Sequence, residues 1–131
     1  MVVCDTHVLI FDALVPGRLT PAAQRALEAS AVRRELACCD ITLWEIAMLI
    51  AKKRLHPGTN AIQFIEDLLL ARYVKILPIT AEIAVLSQTH PALSHSDPAD
   101  RLIAATTLHY NASLITSDTR LRKIDNLSTI W

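Results

Sequence analysis

Short, mostly apolar runs recur along this chain, and stretches of helical periodicity separate them. That alternation restricts the fold more than any other feature. The runs are Val2 to Cys4, Leu36 to Asp40, Tyr73 to Leu77 and Ser113 to Thr116, with Ser128 to Trp131 as a last edge strand. Between them, Thr20-Pro21 opens a helix, with Thr20 as N-cap and Pro21 at the first helical position, running to about Arg34. Thr42 to Arg54 follows as a strong helix pattern closed by His56-Pro57-Gly58, then Asn60 to Arg72 and Thr80 to Thr89. Asp97-Pro98 opens a further helix that ends near Tyr110-Asn111, and Thr119 to Lys123 reads as a short helical turn. Strands without polar alternation belong in a parallel sheet covered on both faces. The predicted fold class is therefore α/β, a three-layer α/β/α sandwich around a short central parallel sheet. Such sheets carry function beyond the carboxyl ends of their strands, where the strand order reverses.

At 131 residues there is room for one core, so residues 1–131 are read as a single domain. An apolar fraction of 52% excludes a disordered chain. The longest apolar stretch, Ile41 to Ala51, contains Glu45 and falls short of the roughly 20 residues of a membrane span. The opening Met1-Val2-Val3-Cys4-Asp5 lacks the basic region of a signal peptide. Cys4, Cys38 and Cys39 are odd in number and sit in apolar runs, which fits buried thiols and a cytoplasmic setting. With Gly17 and Gly58 as the only glycines, a glycine-rich phosphate loop is excluded.

The acids have a positional logic. Asp5 directly follows the first strand, and Glu45 lies in the first turn of the helix after the second. Asp97 and Asp100 open the helix before the fourth strand, and Asp118 follows that strand within two residues. Each also has a structural explanation. Thr42-Leu43-Trp44-Glu45 spells a capping box, Asp97-Pro98-Ala99-Asp100 spells an N-cap with an acid suited to the helix dipole, and Asp118 can cap the turn after it. Asp40 also ends a strand and can simply cap the next helix. Asp5 has no comparable duty that Asn or Ser would not serve. Four carboxylates on one rim repel by roughly 1 kcal/mol per pair at about 4 Å in water, and more when partly buried. Protons or cations relieve that repulsion, and oxygen-only ligands select hard ions such as Mg²⁺ or Mn²⁺. Such ions serve metal-assisted attack on a phosphodiester.

The same residues resemble a known family. Cys4-Asp5-Thr6-His7-Val8-Leu9-Ile10 resembles the opening of PIN domains, and Ile41-Thr42-Leu43-Trp44-Glu45-Ile46-Ala47 their second acidic motif. The run from Asp97 to Thr106 resembles the third, and Leu114-Ile115-Thr116-Ser117-Asp118 the fourth. The four occur in order over nearly the whole chain, and the size and spelling are most similar to VapC-type toxins of toxin–antitoxin pairs. The resemblance implies a metal-dependent endoribonuclease that leaves a 5′-phosphate and a 3′-hydroxyl. It also implies an RNA substrate, a homodimer and inhibition by a VapB-type antitoxin. Asp5, Glu45, Asp100 and Asp118 match the family's four acids. The resemblance makes Asp5, Asp100 and Asp118 metal ligands, while Glu45 holds a second ion or orients water. Thr6 and Ser117 match the supporting hydroxyls, and Asp97 is read as a helix cap, with a place at the ion as the alternative.

Other features are weaker. His7 follows Asp5 closely and His95 sits in the loop before Asp97, so both are placed near substrate or in structural roles. Lys52-Lys53-Arg54 fits a solvated helix end, whereas Arg120, Arg122 and Lys123 follow Asp118 and are placed to grip phosphate. Leu43, Ile46, Ala47 and Ile50 form one apolar stripe, with Trp44, Met48 and Ala51 forming a second. The second stripe is either core or a partner surface, for which Trp44 and Met48 are the candidates. The alternative function is a non-catalytic PIN-like protein-binding module with a structural cation. The formal charge is zero, from 13 acids and 13 bases. With four site acids set aside, nine acids remain against 13 bases, so neutrality is compatible with an RNA partner.

Overall fold

The short apolar runs pair as a five-stranded sheet in a computed structural model that describes residues 1–94 and 96–131. The strands are β1 (Val2–Cys4), β2 (Leu36–Cys39), β3 (Lys75–Leu77), β4 (Ser113–Ile115) and β5 (Ser128–Ile130). Their order is β3-β2-β1-β4-β5, and every neighbouring pair is parallel. Val3 lies opposite both Ala37 and Leu114. The helices are α1 (Thr6–Leu14), α2 (Pro21–Val32), α3 (Ile41–Ala51), α4 (Ala61–Ala71), α5 (Ala81–Thr89) and α6 (Pro98–His109).

Strand pleating sends successive side chains to opposite faces, so two cores form. Cys4, Leu36, Cys38 and Ile115 meet Val8 and Leu9 of α1, Leu27 of α2, Ile46 of α3 and Phe64 of α4. Val3, Ala37, Cys39 and Leu114 meet Ile83 of α5 and Ile103 and Ala104 of α6. This is the predicted α/β/α sandwich. The order reverses between β1 and β4, because β2 and β3 extend one way from β1 while β4 and β5 extend the other. The two strand ends that release Asp5 and Asp118 are therefore adjacent. No helix among the described residues is long and apolar enough to cross a membrane.

Several local expectations change. Helix α1 is absent from the elements read in the sequence. Its Val, Ile and Phe residues are weak helix formers, and burial of Val8, Leu9 and Ile10 against the sheet outweighs that preference. Strand β2 stops at Cys39, because Asp40 already has helical dihedrals. Asp40 does not cap α3 through its side chain. Its carboxylate instead accepts from the Ile79 amide at 3.2 Å, tying the end of β2 to the loop after β3. Strand β3 begins at Lys75, since Tyr73 is in the left-handed region at φ 53°.

Helix α3 likewise ends at Ala51 rather than Arg54, because Lys53 adopts φ 57°. The Lys53 amide bonds to the Ile50 carbonyl and the Arg54 amide to the Leu49 carbonyl, which is a Schellman closure. Arg34, Tyr73 and Asn111 close α2, α4 and α6 in the same way. Glycine usually takes this position, and a β-carbon there costs about 1–2 kcal/mol. Lys53→Gly is expected to raise stability by roughly 0.5–1 kcal/mol, once the unfolded-state entropy of glycine is subtracted. A higher urea midpoint would show the gain; a lower one would mean that the Lys53 side chain supports the helix end.

Candidate active site

Asp5 is the first residue beyond β1, and its amide still donates to the Ile115 carbonyl of the neighbouring strand at 3.0 Å. The side chain is buried, with 3% of the residue's surface exposed. Its Oδ1 accepts from the Thr6 amide at 2.8 Å and so caps α1. Its Oδ2 accepts from the Thr116 hydroxyl at 2.7 Å. Thr116 is fully buried, and its Oγ1 accepts in turn from the Asp118 amide at 3.0 Å. One hydroxyl thus ties the acid after β1 to the acid after β4. Thr116 is absent from the supporting residues read in the sequence. The usable signal was a hydroxyl at a strand end, two places before an acid.

Asp118 does cap the turn that follows it. Its Oδ1 accepts from the Arg120 amide at 2.8 Å and the Leu121 amide at 3.1 Å. Glu45 does not form the expected capping box. Asp40, not Thr42, precedes α3, and Thr42 lies buried inside the first turn. Glu45 Oε1 accepts from the Thr6 hydroxyl, whose oxygen also lies 3.0 Å from that of Thr42. If Thr6 donates to Glu45, Thr42 must donate to Thr6, giving a hydroxyl relay that aims the carboxylate. Asp97 is a true N-cap, with Oδ1 accepting from the Ala99 amide at 2.8 Å and Pro98 at the first position. Asp100 sits in the first turn of α6 and is half-buried. Arg101 is held by the preceding loop, donating to the Ser96 and Ser94 carbonyls.

The acids act on one another. Burial, followed by the charges of Asp5, Asp97, Asp118 and Glu45, pushes the Asp100 carboxyl up to about 7. Burial also raises Glu45, opposed by its Thr6 hydrogen bond and reinforced by Asp5 and Asp97. Asp5, Glu45, Asp97 and Asp118 are therefore all within electrostatic reach of Asp100. Among the described residues, the ion pairs involve His7 with Asp5 and Arg72 with Asp12, leaving Glu45, Asp97, Asp100 and Asp118 without a basic partner. A cavity of about 300 Å³ opens over this rim, lined by Asp97, Asp100, Ser117, Asp118 and Arg120. Asp5 and Glu45 are not part of its lining.

The donor set fits a hard divalent cation: it is made of carboxylate oxygens, and burial, then the neighbouring charges, disfavours the bare Asp100 carboxylate unless a proton or cation joins it. No three His, Cys, Asp or Glu side chains among the described residues form a ready-made ligand cage. Mg²⁺ does not need one, because it commonly uses one or two carboxylates, several waters and substrate phosphate.

The remaining candidates divide. Ser117 and His7 join the site, with Ser117 Oγ 2.8 Å from His7 Nε2. His95 lies outside the described residues. Arg120, Arg122 and Lys123 are exposed beside Asp118, and of the three only Arg120 lines the cavity. On α3, Trp44 is 59% exposed, while Met48 is half-buried.

The sequence pattern of the PIN domain family matches residues 2–127. Ribonuclease VapC22 of Mycobacterium tuberculosis (strain ATCC 25618 / H37Rv) is 34% identical over 121 residues, covering 92% of this chain and 89% of its own length. Among solved structures, the fold is similar to a chain of VapBC2 from Rickettsia felis bound to a DNA fragment from their promoter. That match has a TM-score of 0.71 and 20% identity, covering 98% of this chain and 97% of the other. A chain of a toxin-antitoxin complex from Klebsiella pneumoniae gives a TM-score of 0.65 and 24% identity, covering 98% and 97%.

Proposed function

Because this chain belongs to the PIN domain family, we propose that it is a metal-dependent endoribonuclease, the toxin of a toxin–antitoxin pair. The observation that carries the reading is the four-acid rim around Asp100, with no basic side chain paired to Glu45, Asp100 or Asp118 among the described residues. The 34% identity to a ribonuclease over 92% of the chain supports the substrate class.

In this reading residues 1–131 work as one PIN domain. Asp5, Asp100 and Asp118 hold Mg²⁺ or Mn²⁺, and Glu45 orients the attacking water through the aim set by Thr6. A bound ion supplies Lewis acidity to the phosphate and offsets the charge that builds up at the leaving oxygen. Water adds to phosphorus and gives up a proton, and the P–O3′ bond breaks, leaving a 5′-phosphate and a protonated 3′-hydroxyl. Glu45 is suited to take the water's proton, because burial and neighbouring acids raise its basicity. Arg120, beside the cavity, contributes a phosphate contact.

The relatives found within complexes named for an antitoxin support a VapB-type partner for this chain. The exposed Trp44 with Met48 on α3 supplies an apolar surface for that partner or for a second copy.

Calorimetric titration of Mn²⁺ into the purified chain, read beside RNA cleavage, tests the reading: saturable binding with metal-dependent cleavage is expected, whereas a binding module with a structural cation binds Mn²⁺ and cleaves no RNA. Asp97→Asn separates cap from ligand. Asn caps a helix about as well as Asp, so this variant is expected to keep cleavage and Mn²⁺ affinity within a few-fold. A loss comparable to that of Asp5→Asn would place Asp97 among the ligands.

A further inference from the structure

The side chain of His7 bridges the two strand ends that carry Asp5 and Asp118, and its contacts dictate where its proton sits. The backbone amide of Ser117 lies 3.1 Å from His7 Nε2, and the Ser117 hydroxyl lies 2.8 Å from the same atom. An amide N–H can only donate, so Nε2 must present its lone pair. The neutral ring then carries its proton on Nδ1, which faces Asp5 Oδ2 at 3.5 Å. That separation is long for a hydrogen bond, so the N–H acts on the carboxylate chiefly as an oriented dipole. The ring cannot easily turn away. Phe11 meets it edge-on at 5.4 Å between centroids, and Trp131 at 6.1 Å.

Thr116 already ties Asp5 to the Asp118 amide at fully buried depth. His7 adds a second tie nearer the cavity, one residue before Asp118. Ser117 and Asp118 both line that cavity. The Thr116 amide also bonds to the Ile130 carbonyl and Asp118 caps its own turn, so the His7 tie sets the one link between them, the Ser117 peptide.

We propose that His7 is a positioning residue. As the Nδ1–H tautomer it holds the Ser117 amide, and so fixes the Asp118 carboxylate relative to Asp5 for the RNA phosphate. The effect on cleavage rests on the ribonuclease reading above; the tautomer does not.

Long-range ¹H–¹⁵N correlation of the imidazole in the wild-type protein, at a pH of about 8, reads the tautomer directly. The expected pattern is a protonated Nδ1 and an unprotonated Nε2. The Nε2–H tautomer is the usual form in free histidine, and finding it dominant would overturn the proposal. Kinetics provide the second arm. His7→Phe keeps a ring between Phe11 and Trp131 but offers nothing to the Ser117 amide. It is expected to lower kcat about 10- to 100-fold, with a smaller change in KM. His7→Gln places a carbonyl oxygen near the position of Nε2 and is expected to recover most of that loss. No loss in His7→Phe would show that only the packing of the ring matters, and equal losses in the two variants would show that an acceptor for the Ser117 amide is not what counts; either result would overturn the proposal. If the wild type cleaves no RNA with Mn²⁺, the ribonuclease reading fails, while the tautomer measurement still decides whether His7 holds Ser117.

Discussion

Asp5→Asn is expected to reduce metal-dependent RNA cleavage by on the order of 10³-fold while leaving the chain folded. The two effects separate because the two oxygens of Asp5 have different duties. Oδ1 caps α1 through the Thr6 amide, and the carbonyl of an asparagine side chain serves that role equally well. Oδ2 accepts from the Thr116 hydroxyl, and in the variant an amide nitrogen stands there instead. Thr116 must then accept from both that side-chain amide and the Asp118 backbone amide, which leaves its own hydroxyl proton without a partner. That frustration costs about 1–3 kcal/mol, a loss that a thermal melt resolves without global unfolding. The lost negative charge is the larger matter, because it removes the most buried carboxylate of the rim. Cleavage at the wild-type rate by a folded Asp5→Asn protein would show that the rim acids are structural.

Metal-free protein is expected to become less stable as pH rises from about 4 to about 7, and divalent cation is expected to reverse that trend. The Asp100 carboxyl ordinarily titrates near 3.8 and is pushed up to about 7 in the folded protein. Between those values the folded state holds a proton that the unfolded state has lost. Stability therefore falls as pH rises through this window and levels off above it. Glu45 is shifted in the same direction and adds to the slope. A cation competes with that proton. At about 100 times its dissociation constant, an ion that binds only the folded state adds about 2.7 kcal/mol. Asp100→Asn removes the charge that is penalised. It is expected to flatten the metal-free profile, to melt above wild type at a pH of about 8, and to lose most of the gain from Mn²⁺. Melting curves at pH values of about 5 and 8, with and without Mn²⁺, check all three. A wild-type Tm that rises with pH without metal, together with no response to Mn²⁺, would contradict the crowded-rim account.

The architecture was legible because the parallel strands are short, apolar and buried on both faces, and that signal is local. Helix α1 was not, since Val8, Ile10 and Phe11 favour strands; packing, not propensity, makes it a helix. The early end of α3 was also hidden, since Lys53 in a left-handed conformation gives no compositional cue, whereas the end of α6 near Tyr110-Asn111 was legible because asparagine tolerates that conformation. At the rim, Asp5 and Asp118 were legible from their places after strands and Asp100 from the first turn of α6, while Glu45, expected in the first turn of its helix, is the fifth residue of α3. What holds these acids was not legible. Thr42 and Glu45 spell a capping box, yet Glu45 reaches across to Thr6 on a different helix. The Thr116 link spans 111 positions and depends on β1 lying beside β4. Spacing along a chain does not reveal such contacts; strand order does.

The most direct measurement is cleavage of RNA by the purified wild-type chain with Mn²⁺ or Mg²⁺, with excess chelator, and by Asp5→Asn under the same metal. The account predicts fragments with a 5′-phosphate and a 3′-hydroxyl only for the wild type with metal. Cleavage that persists in chelator, or in the folded Asp5→Asn protein, would contradict it.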